Sequence, residues 1–279
     1  MASGASALAA LAWGRFSAAQ DATSEGSSGP YAPFKMALQS YSLRGLKTDG
    51  KSDVTKALTA TKELGIHFWE AYPAHFPMTT DEATIAAGKE LAKSYGVTVA
   101  GYGVVGLGKN LDADRRTFDA AKAMGFEYLS ADPDPKALDA IDKLVDEYQI
   151  PIGIHNHGPG HRYDKIDKIA AIIKDHSPRI GCCIDTGHFL RSKEDPVLAV
   201  EAFGKRIYGV HLKDVKDATT FTILGQGDLR TVDFLKALAA KKYAYNLAIE
   251  YEESEDNPTA DIKACLVEVR KALAEVRGA

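Results

Sequence analysis

Ile180-Gly181-Cys182-Cys183-Ile184-Asp185-Thr186-Gly187-His188 is a short apolar run that ends on a carboxylate. Its length and composition read as a buried strand over 180–185. An aspartate closing such a run is costly to bury without a partner. Three other apolar runs end on an imidazole or a carboxylate. They are Ile152-Gly153-Ile154-His155-Asn156-His157, Tyr208-Gly209-Val210-His211-Leu212-Lys213-Asp214 and Leu247-Ala248-Ile249-Glu250-Tyr251-Glu252. In parallel strands closed into a barrel, the four ends meet on one rim. The two imidazoles and two carboxylates of His155, Asp185, His211 and Glu250 are then a ligand set for a divalent metal.

Working outward, strand-like runs recur from Pro30 onward: 35–41, 66–72, 97–104, 128–131, 151–157, 180–185, 207–213 and 246–251. Helical patterns lie between them, at 81–95, 112–124, 135–148, 163–175, 195–203 and 231–240, and a last one covers 259–276. Leu64-Gly65, Tyr95-Gly96 and Met124-Gly125 are stop signals just before strands, and Asp112, Asp195 and Thr231 are candidate helix starts. Eight strand–helix alternations without a long linker predict a single-domain (β/α)8 TIM barrel over residues 31–279. The competing doubly wound sheet usually places a Gly-rich phosphate loop after its first strand, and Ser40-Tyr41-Ser42-Leu43-Arg44 is not one. Gly101-x-Gly103-x-x-Gly106 has dinucleotide-loop spacing but no helix starts directly after it, so it is expected as a loop at the barrel mouth.

The chain has 279 residues, 45% of them hydrophobic, and a net charge of −4. That balance leaves no broad cationic surface for a phosphate backbone, so nucleic acid is not an expected partner. Of three cysteines, Cys182 and Cys183 are strand neighbours pointing to opposite faces, so buried free thiols are expected. Residues 1–30 form a leader rich in Ala, Gly and Ser. An apolar run at Ala5–Trp13 precedes Phe16-Ser17-Ala18-Ala19-Gln20, which has residues suited to signal-peptidase cleavage, but no basic region comes first. Two readings stay open: the remnant of an export signal, which places the protein in the periplasm, or a disordered leader on a cytoplasmic protein. No other stretch approaches the roughly 20 apolar residues that span a bilayer.

The residues around the four strand ends form a second tier. A histidine in an apolar run is more often a packed core residue than a ligand, so the argument rests on the four together. His188 is expected in a Gly-containing turn, within reach of a substrate hydroxyl. Lys213 shares the parity of His211 and points inward, where it would polarise a carbonyl or hold an anion, while Asp214 points away as a structural group. Glu70 closes Ile66-His67-Phe68-Trp69 on the same rim, as an acid/base group, a hydroxyl binder or one half of a salt bridge. His157 shares parity with His155, and His161 lies further out in a Gly-Pro-Gly loop. Trp69, Tyr72 and Tyr41 are candidate walls for a sugar ring, with plain packing as the alternative.

From Met36 to the C-terminal helix the chain resembles the sugar phosphate isomerase/epimerase family of xylose isomerase-like barrels. The resemblance rests on Tyr41-Ser42-Leu43-Arg44, Ile184-Asp185-Thr186-Gly187-His188, His211-Leu212-Lys213-Asp214, Gly225-Gln226-Gly227-Asp228 and Ile249-Glu250-Tyr251, in that order. It implies a divalent metal (Mn, Mg, Co or Zn) held by a Glu, an Asp, a His and a second Glu. Asp185, His211 and Glu250 match the last three positions. His155 stands where epimerases carry the first glutamate, and His155-Asn156-His157 looks more like inosose dehydratase and related sugar lyases.

The resemblance implies a metal-dependent isomerase or epimerase. Such an enzyme removes a proton beside the carbonyl of a keto-sugar or related polyol and passes through an enediolate. Glu250 and His188 are the first candidates for acid/base work, with Lys213 stabilising charge and His157 and Glu70 behind them. The alternative is a dehydratase or keto-glycoside lyase that expels a neighbouring oxygen after the same first step. An apurinic-site-type phosphodiesterase and a non-catalytic sugar-binding barrel are weaker readings. The expected partner is a small carbohydrate, and pairing into a homodimer is left open.

Overall fold

The structure is a computed structural model, and it describes residues 29–278. The apolar run at 5–13 and the possible cleavage segment lie outside the described residues. Eight parallel strands close into a barrel in chain order: β1 (Lys35–Gln39), β2 (Phe68–Ala71), β3 (Thr98–Leu107), β4 (Tyr128–Pro133), β5 (Ile152–His155), β6 (Ile180–Asp185), β7 (Ile207–Leu212) and β8 (Asn246–Ile249). β8 returns to β1 through Lys35–Asn246 and its neighbours, which leaves the barrel sheet without an edge.

Strict alternation along the strands makes two separate interiors. Ile180, Cys182 and Ile184 of β6 face outward into a large core shared with Leu38, Trp69, Leu129, Ile152, Ile154, Leu212, Leu247 and Ile249. The intervening residues line the lumen. Its lower part is a small apolar cluster of Ala37, Phe68, Ala100 and Ala248. Above this the lumen is narrow. A Cβ at Gly209 would lie 2.9 Å from the Cys183 sulfur, and one at Gly101 would lie 2.4 Å from the Tyr128 ring. Small residues on these strands give Tyr128 its space.

Helices cover the outside: α1 (Val54–Glu63), α2 (Glu82–Ser94), α3 (Leu111–Met124), α4 (Leu138–Tyr148), α5 (Ile166–Ile173), α6 (Thr186–Arg191), α7 (Pro196–Phe203), α8 (Thr231–Ala240) and α9 (Thr259–Gly278). The expected stop signals are in place: Gly65, Gly96 and Gly125 all have positive φ, which suits a residue without a Cβ. Asp195 caps α7 by accepting from the Val197 amide. α3 starts earlier than Asp112, because the Asn110 side chain accepts from the Ala113 amide. Gly101–Leu107 is not a mouth loop. It is the continuation of β3, whose register shifts against β4 between Tyr102 and Val105. Among the described residues no helix is long and apolar enough to cross a membrane, and all three cysteines are free and buried.

Candidate metal centre and catalytic pocket

The carboxyl ends of β5, β6, β7 and β8 bring His155, Asp185, His211 and Glu250 together. One ligand atom from each lies within 4.8 Å of all the others, and all four residues are buried. His155 Nε2 is 2.9 Å from His211 Nδ1, and Glu250 Oε2 is 3.1 Å from that same His211 nitrogen. Asp185 Oδ2 is 3.6 Å from His155 Nε2.

Local structure explains why Asp185 presents one oxygen. It is the N-cap of α6, and its Oδ1 accepts from the His188 amide at 2.7 Å. Its backbone is fastened by Asn156, whose amide donates to the Asp185 carbonyl and accepts from the Asp185 N–H. Oδ2 is buried and makes no hydrogen bond of good geometry, and its nearest cation is Lys213 Nζ at 3.0 Å. Two imidazole nitrogens and two buried carboxylates converging in this way fit a divalent cation.

Lys213 enters the same group. Its Nζ is 3.0 Å from Asp185 Oδ2 and 2.9 Å from Glu250 Oε2, and it also pairs with Glu252. Burial opposes ionisation of Asp185, but the Lys213 ammonium overrides it and holds the carboxyl well below its usual range. Burial likewise opposes the Glu250 carboxylate, and Lys213 and His211 pull it down. Lys213 is raised in spite of its burial, by Asp185, Glu250 and Glu252. His211 is raised against burial by Cys183, Glu70 and Glu250.

Above the cluster opens a cavity of about 280 Å³, lined by Tyr41, Tyr72, His157, His188, Glu250 and Glu252 among others. Tyr41 and Tyr72 pack edge to face, 5.0 Å between centroids. Burial pushes His188 down to about 3 and His157 down to about 4, the latter helped by His155 and His161. Arg191 Nη1 is 3.3 Å from His188 Nδ1. Arginine only donates, so Nδ1 accepts and the ring proton sits on Nε2. His157 stacks on His188, 5.7 Å between centroids, and meets His161 in a tilted contact at 4.4 Å. A similar cavity of about 300 Å³ at the opposite end of the barrel, among Tyr31, Phe34, Met36 and Phe68, offers only Lys35 and His67 as charged or titratable side chains besides Tyr31.

Several expected positions are changed by the structure. His188 sits in the first turn of helix α6, not in an open turn. Glu70 is fully buried in the lumen beneath His211 rather than on the rim: its Oε1 is 2.9 Å from His211 Nε2, and it has no exposure from which to reach a substrate. Trp69 points outward, where its Nε1 donates to Thr61 in α1, so it is no wall of the mouth. Asp214 faces away from the cluster, and one carboxylate accepts from the backbone amides of Val215, Gly225, Gly227 and Leu229.

Reading the sequence missed Gln39, Tyr128, Ser130, Arg191, Phe221 and Glu252. Gln39 and Ser130 carried a signal, being polar residues at inward parity inside apolar runs. Phe221 lies on a hairpin (Asp214–Lys216 and Thr220–Thr222) and packs 5.7 Å from the His188 ring. No pattern in the sequence foretold that contact.

The chain is similar to inosose dehydratase from Clostridium tetani, 27% identical over 160 residues that make up 50% of this chain and 52% of that protein. It is also similar to inosose dehydratase from Clostridium botulinum, 28% identical over 136 residues, 42% of this chain and 45% of that protein. The matched part thus spans about half the length of these curated relatives. A solved structure from Parabacteroides distasonis superposes with a TM-score of 0.66 at 26% identity, covering 86% of this chain and 99% of that one. An L-ribulose 3-epimerase structure gives a TM-score of 0.68 at 16% identity over 88% and 96% of the two chains, a likeness of fold. Residues 58–266 match the family profile described as xylose isomerase-like TIM barrel. With the closed eight-stranded barrel and this extent of match, the chain belongs to the xylose isomerase-like TIM barrel family.

Proposed function

We propose that the protein is a divalent-metal-dependent isomerase or epimerase of a keto-sugar or related polyol, working by proton abstraction next to a carbonyl. The observation that carries this is the convergence of His155, Asp185, His211 and Glu250 at the floor of a pocket sized for a small carbohydrate. These four residues would hold the metal. When bound, such an ion supplies Lewis-acid polarisation of a carbonyl, which acidifies the neighbouring C–H.

The remaining chemistry belongs to the protein. Glu250 is ionised and lines the pocket, so we assign it removal of the proton, with Lys213 holding its Oε2 in place. Lys213 also adds a fixed positive charge where negative charge develops on the substrate oxygens. His188, with its proton on Nε2, donates to a substrate hydroxyl. His157 is neutral and lines the pocket, so it is our second proton carrier. Tyr41 and Tyr72 give a rigid apolar wall for a sugar ring. Glu70 is withdrawn from the acid/base candidates because it is sealed below the floor.

A second reading keeps the first step and expels a β-oxygen, as a dehydratase or keto-glycoside lyase would. It is favoured by His155, and by the similarity to proteins named inosose dehydratase. Incubating the protein with manganese and a panel of keto-sugars and keto-cyclitols in deuterated water, followed by NMR, separates the two. Solvent deuterium entering a carbon beside a carbonyl in an otherwise intact sugar supports isomerisation or epimerisation. A new unsaturated product supports the lyase. No exchange and no product with any member of the panel would count against proton abstraction.

A further inference from the structure

We infer that Glu70 is a positioning residue: from inside the lumen it fixes the proton of His211 on Nε2, so that Nδ1 is the nitrogen left for a cation, and thereby sets how tightly the four-residue cluster binds metal. The inference rests on the metal reading of that cluster and adds a residue outside it.

Glu70 receives four hydrogen bonds from three strands. Gln39 Nε2 donates at 2.9 Å, Tyr128 OH donates at 2.6 Å, Ser130 Oγ donates, and His211 Nε2 lies at 2.9 Å. The Gln39 amide cannot be turned over, because its own oxygen accepts from the Tyr41 N–H at 3.0 Å. Tyr128 OH has Glu70 as its acceptor. Gln39, Ser130 and His211 meet at Oε1 and Tyr128 at Oε2. An ionised carboxylate has no proton to give, so the 2.9 Å contact is a hydrogen bond only if His211 donates from Nε2. Glu70, Ser130 and His211 are fully buried, away from bulk solvent.

With the proton held on Nε2, the other nitrogen of the ring is committed. Nδ1 faces His155 Nε2 at 2.9 Å and Glu250 Oε2 at 3.1 Å, which is the space enclosed by the four candidate ligands. The Nε2–H bond is the same whether Nδ1 carries a proton or a cation. The reversed tautomer would aim an imidazole lone pair at the Glu70 carboxylate and put a proton on the nitrogen that faces the ligand space, which could then not bind a cation. Carboxylate partners of ligand imidazoles commonly act in this way, and their loss typically weakens metal binding about 10- to 100-fold.

The test uses the full chain and zinc chloride alone. Long-range ¹H–¹⁵N correlation of the histidine rings in the zinc-loaded wild type is expected to show His211 with its proton on Nε2. Calorimetric titration is expected to show a folded Glu70→Gln protein binding zinc about 10- to 100-fold more weakly, with the His211 ring no longer held in one tautomer. A wild-type spectrum with the proton on Nδ1 overturns the inference even if Glu70→Gln does not fold. So does wild-type affinity in a folded Glu70→Gln protein. If the wild type binds no zinc at all, the metal reading falls and takes this inference with it, so the two failures are told apart.

Discussion

The two faces of a single strand show how labour is divided in this barrel. In β2, Trp69 points outward into the apolar layer beneath the helices, while Glu70 points inward and is saturated by polar donors. The outer layer is continuous, aliphatic and aromatic, and its members are interchangeable as far as volume allows. The lumen near the mouth holds Gln39, Glu70, Ser130, His155, Asp185, His211 and Glu250 almost without exposure. Such polar density in an interior stabilises little by itself and is tolerated when every group is partnered. One face thus supplies stability and the other supplies geometry.

If that division holds, substitutions on the two faces should separate metal binding from stability. The largest effect is expected for Asp185→Asn, which removes an ionised ligand from the cluster. Metal content after dialysis should fall to background, and turnover of whichever keto-sugar proves active should drop about 10³-fold or more. The thermal midpoint of the metal-free protein should change little. Metal retained at the wild-type level would break the division at its inner face.

Trp69→Ala probes the outer face. A fully buried aromatic with a hydrogen bond to Thr61 should cost about 3–5 kcal/mol on truncation, read as a shift of the urea midpoint. Metal stoichiometry in the remaining folded protein should stay unchanged. Loss of metal in that folded fraction would mean that the two faces are coupled.

His155→Glu sharpens the inner half of the comparison, because it restores the carboxylate that epimerases of this family are expected to carry. Metal binding should persist, while the rate or the product ratio should shift by roughly tenfold or more, since an anionic ligand weakens the Lewis acidity of the site. Complete metal loss would show that the site requires imidazole at this position.

An effect on stability alone concerns His75, which stacks on Trp69 and is buried. Burial lowers it to about 4 from its ordinary 6.5. The unfolded chain takes up this proton near pH 6.5 and the folded chain only near pH 4. The contribution of His75 is therefore complete above pH 6.5 and is lost as pH falls toward 4. Between pH 7 and pH 5 this amounts to about 2 kcal/mol. Unfolding free energies from urea titrations at the two pH values should differ less in His75→Phe than in the wild type by about that amount. An identical difference in both proteins would sink the assignment.

Much of this organisation was legible in the sequence, for a definite reason. Ile-Gly-Cys-Cys-Ile-Asp spells the alternation of outer and inner residues directly, and the four polar strand closers share the inward parity. What could not be read was depth. Glu70 and Glu250 both end apolar runs at inward positions, yet the first lies under His211 and the second opens onto the pocket. The difference arises from the stagger between neighbouring strands, which a single sequence does not state. The contacts of Arg191 and Phe221 with His188 were equally hidden, because each is made by a segment after the strand. Asn110 displaced Asp112 as a cap because capping depends on backbone direction as well as residue type.

Asp214 carries a consequence for how new specificities would arise on this scaffold. Its single side chain gathers the amides of Val215, Gly225, Gly227 and Leu229, so the segment carrying Phe221 is clasped at its root by an anion belonging to the frame. Residues 216–223 lie between these anchor points, and Leu224 returns the chain to the core. Grafting a different tip there, with the clasp retained, would redraw the outline of the mouth while leaving the floor of the pocket where it is.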